Sequence, residues 1–180
     1  MEHRAKADKP ASNNRPTVPA LTEEIQRLVR EQRLGFVASV AADGSPNVSP
    51  KGSLTVLDSD HLVFADVESP HTVRNLEQNP RTEVNVVDPF ARKGFRFRGK
   101  ATILHAGGVY HKVLEMYRAE GADVRRIRSV VVVAVEQVVP LVSPIYTLGL
   151  SEDEVRALWQ EYNRKKSDRT VVDLVPPRDF

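Results

Sequence analysis

The sequence predicts a mainly β protein with peripheral helices, an α+β chain whose antiparallel strands close into a small barrel. Three observations carry that expectation. Strand-like runs at Gly35–Ala42, Asn47–Leu57, His61–Asp66 and Thr82–Asp88 lead to a longer one at Phe95–His105. Turn signals sit between most of them, namely Ala-Asp-Gly-Ser at 42–45, Asp-Ser-Asp at 58–60, and Asp88–Pro89 with Gly94, so the connections are of hairpin length. One short helical stretch, Ser69–Pro80, interrupts the series. Strands at this spacing fit a meander that closes on itself, and the helical insertion is its irregular feature.

Composition narrows the class. A chain of 180 residues suits one domain with appended ends, able to bury roughly two-thirds of its unfolded surface. It has no cysteine, which removes disulfide and thiolate chemistry and fits a reducing, cytoplasmic setting. The longest apolar run, Val130–Val135, falls short of the ~18 residues of a membrane span, and the first residues lack the apolar core of a secretory signal. The net charge of +2 comes from Arg4, Lys6, Lys9 and Arg15 against Glu2 and Asp8. The rest of the chain is near neutral, without the field that draws in nucleic acid.

In chain order, residues 1–20 read as a flexible polar tail, residues 21–167 as the folded domain with a C-terminal helix, and 168–180 as a second tail. Thr22 is placed to cap a helix carrying Glu23 and Glu24 in its first turn; Leu21, Ile25, Leu28 and Val29 share one face, and the helix ends near Arg33. In Gly35–Ala42, Ala38, Ser39, Ala41 and Ala42 are small and allow something to pack closely on the strand. Asn47–Ser53 holds Pro50 and Gly52. Proline in a strand points to an edge or a bulge, so this stretch is either an irregular edge or a binding edge that offers backbone groups and Lys51. Ser69 is expected to cap the inserted helix, with Pro70 at its first position. His71, Thr72, Arg74 and Asn75 fall in its first two turns, where free N–H groups and the helix dipole favour a phosphate. The plainer reading is an ordinary cap and a solvated surface.

From Phe95 the pattern alternates, so Phe95 and Phe97 share one face while Arg96, Arg98 and Lys100 share the other. That basic stripe suits an acidic ligand, or is a solvated face whose cations pair with neighbouring acids. A helix over Gly108–Glu120 and a strand over Ser129–Val139, broken at Pro140, follow. Ser151 with Asp153 and Glu154 opens the last helix, and Thr170–Val175 reads as a short strand. No nucleophile elbow, phosphate loop, dinucleotide fingerprint or metal-binding histidine spacing occurs. Catalytic residues are not identified, no metal site is expected, and any difficult chemistry falls to a bound cofactor.

GFVASVAADGSPNVSPKGS, HLVFAD, SPHTVRNLEQNPR, TEVNVV and FRFRGKATIL, in this order and spacing over residues 21–140, resemble the pyridoxamine 5'-phosphate oxidase-like FMN-binding split barrels. The resemblance implies a six-stranded antiparallel split β-barrel that forms a homodimer, with FMN at the dimer interface. It implies that Ser49, Pro50, Lys51 and Gly52 flank the flavin ring. Phe64, Ala65 and Asp66, together with Ser69, His71, Thr72, Arg74 and Asn75, hold the phosphate. Family members that bind FMN strongly often carry Arg or Lys around the positions of His71 and Thr72. Here Lys51, Arg74 or a partner-chain cation such as Arg96 or Arg98 has to compensate. The C-terminal segment lacks the Arg-rich signature of the vitamin B6 oxidases, so that substrate is not expected. The resulting expectation is an FMN-dependent oxidoreductase acting on an unidentified small molecule, with neither nucleic acid nor membrane as partner. The alternative is a split barrel holding a flavin, deazaflavin or haem-type ligand without turnover.

Overall fold

The computed structural model describes residues 20–167. The N-terminal tail short of residue 20 and the strand expected at Thr170–Val175 lie outside them. The described residues form β1 (Gly35–Val40), β2 (Pro46–Lys51), β3 (Thr55–Val56), β4 (His61–Asp66), β5 (Arg81–Asp88), β6 (Lys93–Leu104) and β7 (Ser129–Val142). The helices are α1 (Glu23–Gln32), α2 (Pro70–Gln78), α3 (Gly108–Ala119) and α4 (Glu152–Ser167), with 3-10 turns at Val124–Arg126 and Pro144–Leu148. No described helix is long and apolar enough to cross a membrane.

The strands join one antiparallel sheet in the order β2-β1-β5-β6-β7-β4-β3. It has seven strands where six were expected. The run read as one strand, Asn47–Leu57, is cut by a turn at Gly52–Ser53 into β2 and the two-residue β3. Those pieces lie at opposite edges of the sheet. The four Cα steps from Lys51 to Thr55 reach at most about 14 Å. The two edges are therefore held close together, and the sheet curls into a half-barrel. Pro140 does not end β7, which runs on to Val142 with Pro140 opposite Phe95. The reason is local: β4 pairs only as far as Ala134. Past Val135, whose N–H donates to the Asp60 carbonyl at 2.9 Å, that side of β7 has no paired strand among the described residues, and a missing N–H there costs no ladder bond. Burial on both faces is likewise confined to the first part of β7, residues 129–133, apart from half-buried Val132.

Side chains at period two fill the inside of the curl. Val37, Phe64, Val84, Val86, Phe97, Val131 and Val133 meet Leu21, Ile25 and Val29 from the α1 segment and Leu76 from α2. As expected, Thr22 caps α1, its hydroxyl accepting the Ile25 N–H at 3.4 Å. A second cluster lies outside β4 and β7, where Val63, Ala65 and Val130 are covered by Val113 and Tyr117 of α3.

The segment 143–167 is clamped to the β5–β6 turn. Asp88 Oδ1 accepts the N–H groups of Phe90 at 2.8 Å and Ala91 at 2.9 Å, and its other oxygen pairs with Arg156 at 2.8 Å. Tyr146 donates to the Ala91 carbonyl at 2.6 Å, and the Arg92 guanidinium lies 4.1 Å from the centre of the Trp159 ring. Burial alone would raise the Asp88 carboxyl, but the Ala91 and Phe90 N–H groups and the Arg156 guanidinium outweigh it and hold it below the usual carboxylate range. Asp88→Ala removes three partners at once and is expected to cost about 2–4 kcal/mol in denaturant unfolding, with Asp88→Asn costing less. The folded value is depressed, so the stabilisation by charged Asp88 is full above its ordinary pKa of 3.8. It is lost as pH falls through the lower folded value, which an acid titration of wild type against Asp88→Asn resolves.

Candidate functional site

β2 presents Asn47, Ser49 and Lys51 to α2, since residues two apart on a strand share a face. Lys51 is the centre of the first cluster. It is only 4 % exposed; its Nζ donates to Ser49 Oγ at 2.7 Å and to Ser69 Oγ at 2.5 Å, and lies 5.7 Å from the centre of the Phe64 ring. Ser69 is the N-cap of α2, but its hydroxyl does not cap the helix as expected. It is turned instead to Lys51, and the Ser69 N–H donates to Asp66 Oδ1 at 2.9 Å. A buried cation thus sits at the positive end of a helix whose first N–H groups have no side-chain cap. Burial pulls the Lys51 ammonium below its ordinary value, and the nearby Asp66 carboxylate offsets part of that.

A second, neutral cluster lies one turn along α2. Asn47 Nδ2 donates to Ser39 Oγ at 3.1 Å and Thr72 Oγ1 at 3.3 Å, and Asn75 Nδ2 donates to Ser39 Oγ at 3.2 Å. This network ties β1, β2 and α2 together and fixes the first turn of the helix against the sheet. Ser39 and Asn47 were not among the expected site residues. The signals for them were the small side chain of Ser39 and the period-two relation of Asn47 to Ser49 and Lys51.

The other expected residues divide cleanly. Ser49, Phe64, Asp66 and Ser69 converge on Lys51, while Thr72 and Asn75 belong to the neutral cluster. Ala65 is tied to the turn between β2 and β3, its N–H donating to Ser53 Oγ at 3.0 Å. Gly52 lies in that turn, with open space where a Cβ would stand. Pro50 faces the other side of the sheet, opposite Phe36. His71 and Arg74 are exposed and have no hydrogen-bonding or ionic partner among the described residues. Arg96 and Arg98 are on the sheet face away from α2, paired with Glu83 at 3.4 and 2.5 Å, so their own protomer does not bring them to Lys51. On that same outer face Phe36 and Val48 are 48 % and 62 % exposed, with Val40, Pro46 and Pro50 alongside. An open cavity of about 810 Å3 adjoins this apolar face where β1 and β5 diverge.

The Lys51 cluster suits a phosphate monoester. It offers a charged donor in a nearly dry position, hydroxyls from Ser49 and Ser69, and the N-terminus of α2. A family model described as Pyridoxamine 5'-phosphate oxidase matches residues 21–141, from the start of α1 almost to the end of β7. The chain belongs to the pyridoxamine 5'-phosphate oxidase family. The matched span covers both clusters and stops just before the clamped C-terminal segment.

Among solved structures similar to this family member, HupZ of Group A Streptococcus is 29 % identical with a TM-score of 0.62, covering 68 % of this chain and 95 % of its own. An FMN-binding protein of Syntrophomonas wolfei is 14 % identical with a TM-score of 0.56, covering 66 % and 84 %. At such low identity, the latter shows the shared split-barrel fold alone. The same holds for an F420 reductase at 23 % identity and a TM-score of 0.51 (66 % and 98 % covered). It holds too for HutZ, the haem storage protein of Vibrio cholerae, at 22 % and 0.51 (68 % and 94 % covered). The uncharacterized protein MJ0282 of Methanocaldococcus jannaschii is 33 % identical over 84 residues, 43 % of this chain and 56 % of that protein. The match thus spans about half the length of that curated relative.

Proposed function

We propose that this chain is a cytoplasmic, homodimeric flavoprotein that holds FMN with its phosphate at the N-terminus of α2 and passes electrons or hydride to or from a small molecule. The observation that carries the reading is Lys51: a nearly buried ammonium hydrogen-bonded to the N-cap hydroxyl of α2. A cation beside the positive end of a helix is unfavourable on its own, and an anion placed between them relieves both charges. Bound there, FMN would supply the redox chemistry. The chain's own residues bind the phosphate through Lys51, Ser49 and Ser69, and orient α2 through Ser39, Asn47, Thr72 and Asn75. Similarity in fold to an FMN-binding protein supports the choice of ligand.

A second reading, ligand holding without turnover, draws support from the neutral cluster, which contains no group that titrates near pH 7. Absorbance spectra separate the two. FMN-loaded protein that is bleached by a nicotinamide nucleotide and recovers with an acceptor is an enzyme; flavin that stays oxidised throughout is held, not used.

The outer face supports the homodimer in this reading. Phe36 and Val48, with Pro50 opposite Phe36, form an exposed apolar patch at the edge of the sheet beside the cavity, of the kind that two-fold contacts cover. Light scattering is expected to give about twice the chain mass at micromolar concentration, and Phe36→Glu with Val48→Glu about one chain mass with the thermal transition kept. A wild type that stays monomeric removes the dimer from the proposal.

A further inference from the structure

We propose that the outer-face cavity is a binding site for a planar organic carboxylate, with Arg81 as its anion receptor. The cavity holds about 810 Å3, a volume suited to an organic ligand rather than a single ion. It exists because two strands part. β1 and β5 pair only over Phe36–Ala38 and Glu83–Asn85; past that point the Thr82 hydroxyl takes the Ala38 carbonyl at 2.8 Å, and Ser39 and Thr82 form part of the lining.

A bulge shapes the opposite wall. Arg98 pairs with Gln137 but Gly99 with Val135, so Glu136 is an extra residue in β7, and both Glu136 and Gln137 line the cavity. The bulge requires close strands: a Cβ on Gly99 would stand 2.1 Å from the Ala134 carbonyl oxygen. Glycine is therefore required where the wall turns.

The charges choose the ligand. Glu83 is held by Arg96 and Arg98 and Glu136 by Lys100 at 3.1 Å, while the Arg81 guanidinium has no partner among the described residues. Four cations thus face two carboxylates, and Arg81 is the uncommitted one. Its planar fork matches a carboxylate in two parallel hydrogen bonds. Glu83 and Glu136 oppose a phosphate dianion more strongly than a single negative charge. Ala38, Val40 and Pro46 supply an apolar wall for a flat ring, and the Gln137 amide is free to hydrogen-bond to it. The site goes beyond the flavin reading and does not depend on it.

Calorimetric titration of the full chain with 1-naphthoate tests the proposal, with neutral 1-naphthamide as the matched control. Saturable binding at one site per chain is expected, with the amide at least about tenfold weaker. Arg81→Gln, an exposed position whose change leaves the fold intact, is expected to weaken the acid by about tenfold or more. FMN affinity, read separately by flavin fluorescence, is expected to be the same in Arg81→Gln and wild type. No saturable binding of the acid, equal affinity for acid and amide, or an unaffected Arg81→Gln overturns the site. Loss of FMN binding in Arg81→Gln overturns its separateness from the flavin site. Failure of the wild type to bind FMN overturns the flavin reading alone.

Discussion

Lys51→Met is expected to lower FMN affinity about a hundredfold while moving riboflavin affinity less than about threefold. A hundredfold is ~2.7 kcal/mol, within the range of a charge-assisted hydrogen bond to a poorly solvated anion. Methionine keeps the apolar stem against Phe64 and removes only the charge and its donors. It also leaves the Asp66 carboxylate, 5 % exposed, without the attraction of the Lys51 ammonium, so some loss of stability accompanies the loss of affinity. The double variant Lys51→Met with Asp66→Asn is expected to restore stability without restoring FMN binding, which separates a damaged site from a damaged fold. The midpoint potential of flavin bound at saturation is expected to stay where it was, because Lys51 lies at the helix end. A lowered potential with unchanged affinity would assign Lys51 to the ring instead.

Ser69→Asp is expected to act on fold and ligand in opposite directions. The wild-type serine leaves α2 without a side-chain cap because its hydroxyl is engaged by Lys51. Aspartate there can pair with Lys51 and favours the helix dipole, so thermal stability is expected to hold or rise by up to about 1 kcal/mol. The same carboxylate fills the place of the phosphate and sets a negative charge against it. FMN affinity is expected to fall by about a hundredfold or more, with riboflavin again little changed. A protein that is stabilised and still binds FMN tightly places the phosphate elsewhere.

The parts of this account that could be read from the sequence are those set by neighbours in the chain. The alternation of Phe95, Phe97 and Ala101 against Arg96, Arg98 and Lys100 placed β6 and its two faces correctly. Pro70 at the first turn marked α2, and Ser151 with Glu154 opened α4 through the reciprocal hydrogen bonds expected of that pair. What escaped depended on distant partners. Nothing local to Gly52–Ser53 says that the residues on its two sides belong to opposite edges of the sheet; only closure of the curl requires it. Pro140 reads as a strand end until β4 is known to have stopped pairing by Ala134. Ser69 reads as a cap because the lysine that engages its hydroxyl is 18 residues away. The cations Arg96 and Arg98 were legible as a stripe, but their commitment to Glu83 depended on which strand lay beside them.

The claim that a phosphate belongs at Lys51 is tested most directly by titrating the wild-type protein with FMN and with riboflavin under the same conditions. Both ligands carry the same ring and ribityl chain, so their ratio reports the phosphate alone. FMN is expected to bind at least about a hundredfold more tightly, with the difference shrinking in high salt as an ionic contact should. Equal affinities for the two ligands would contradict the account.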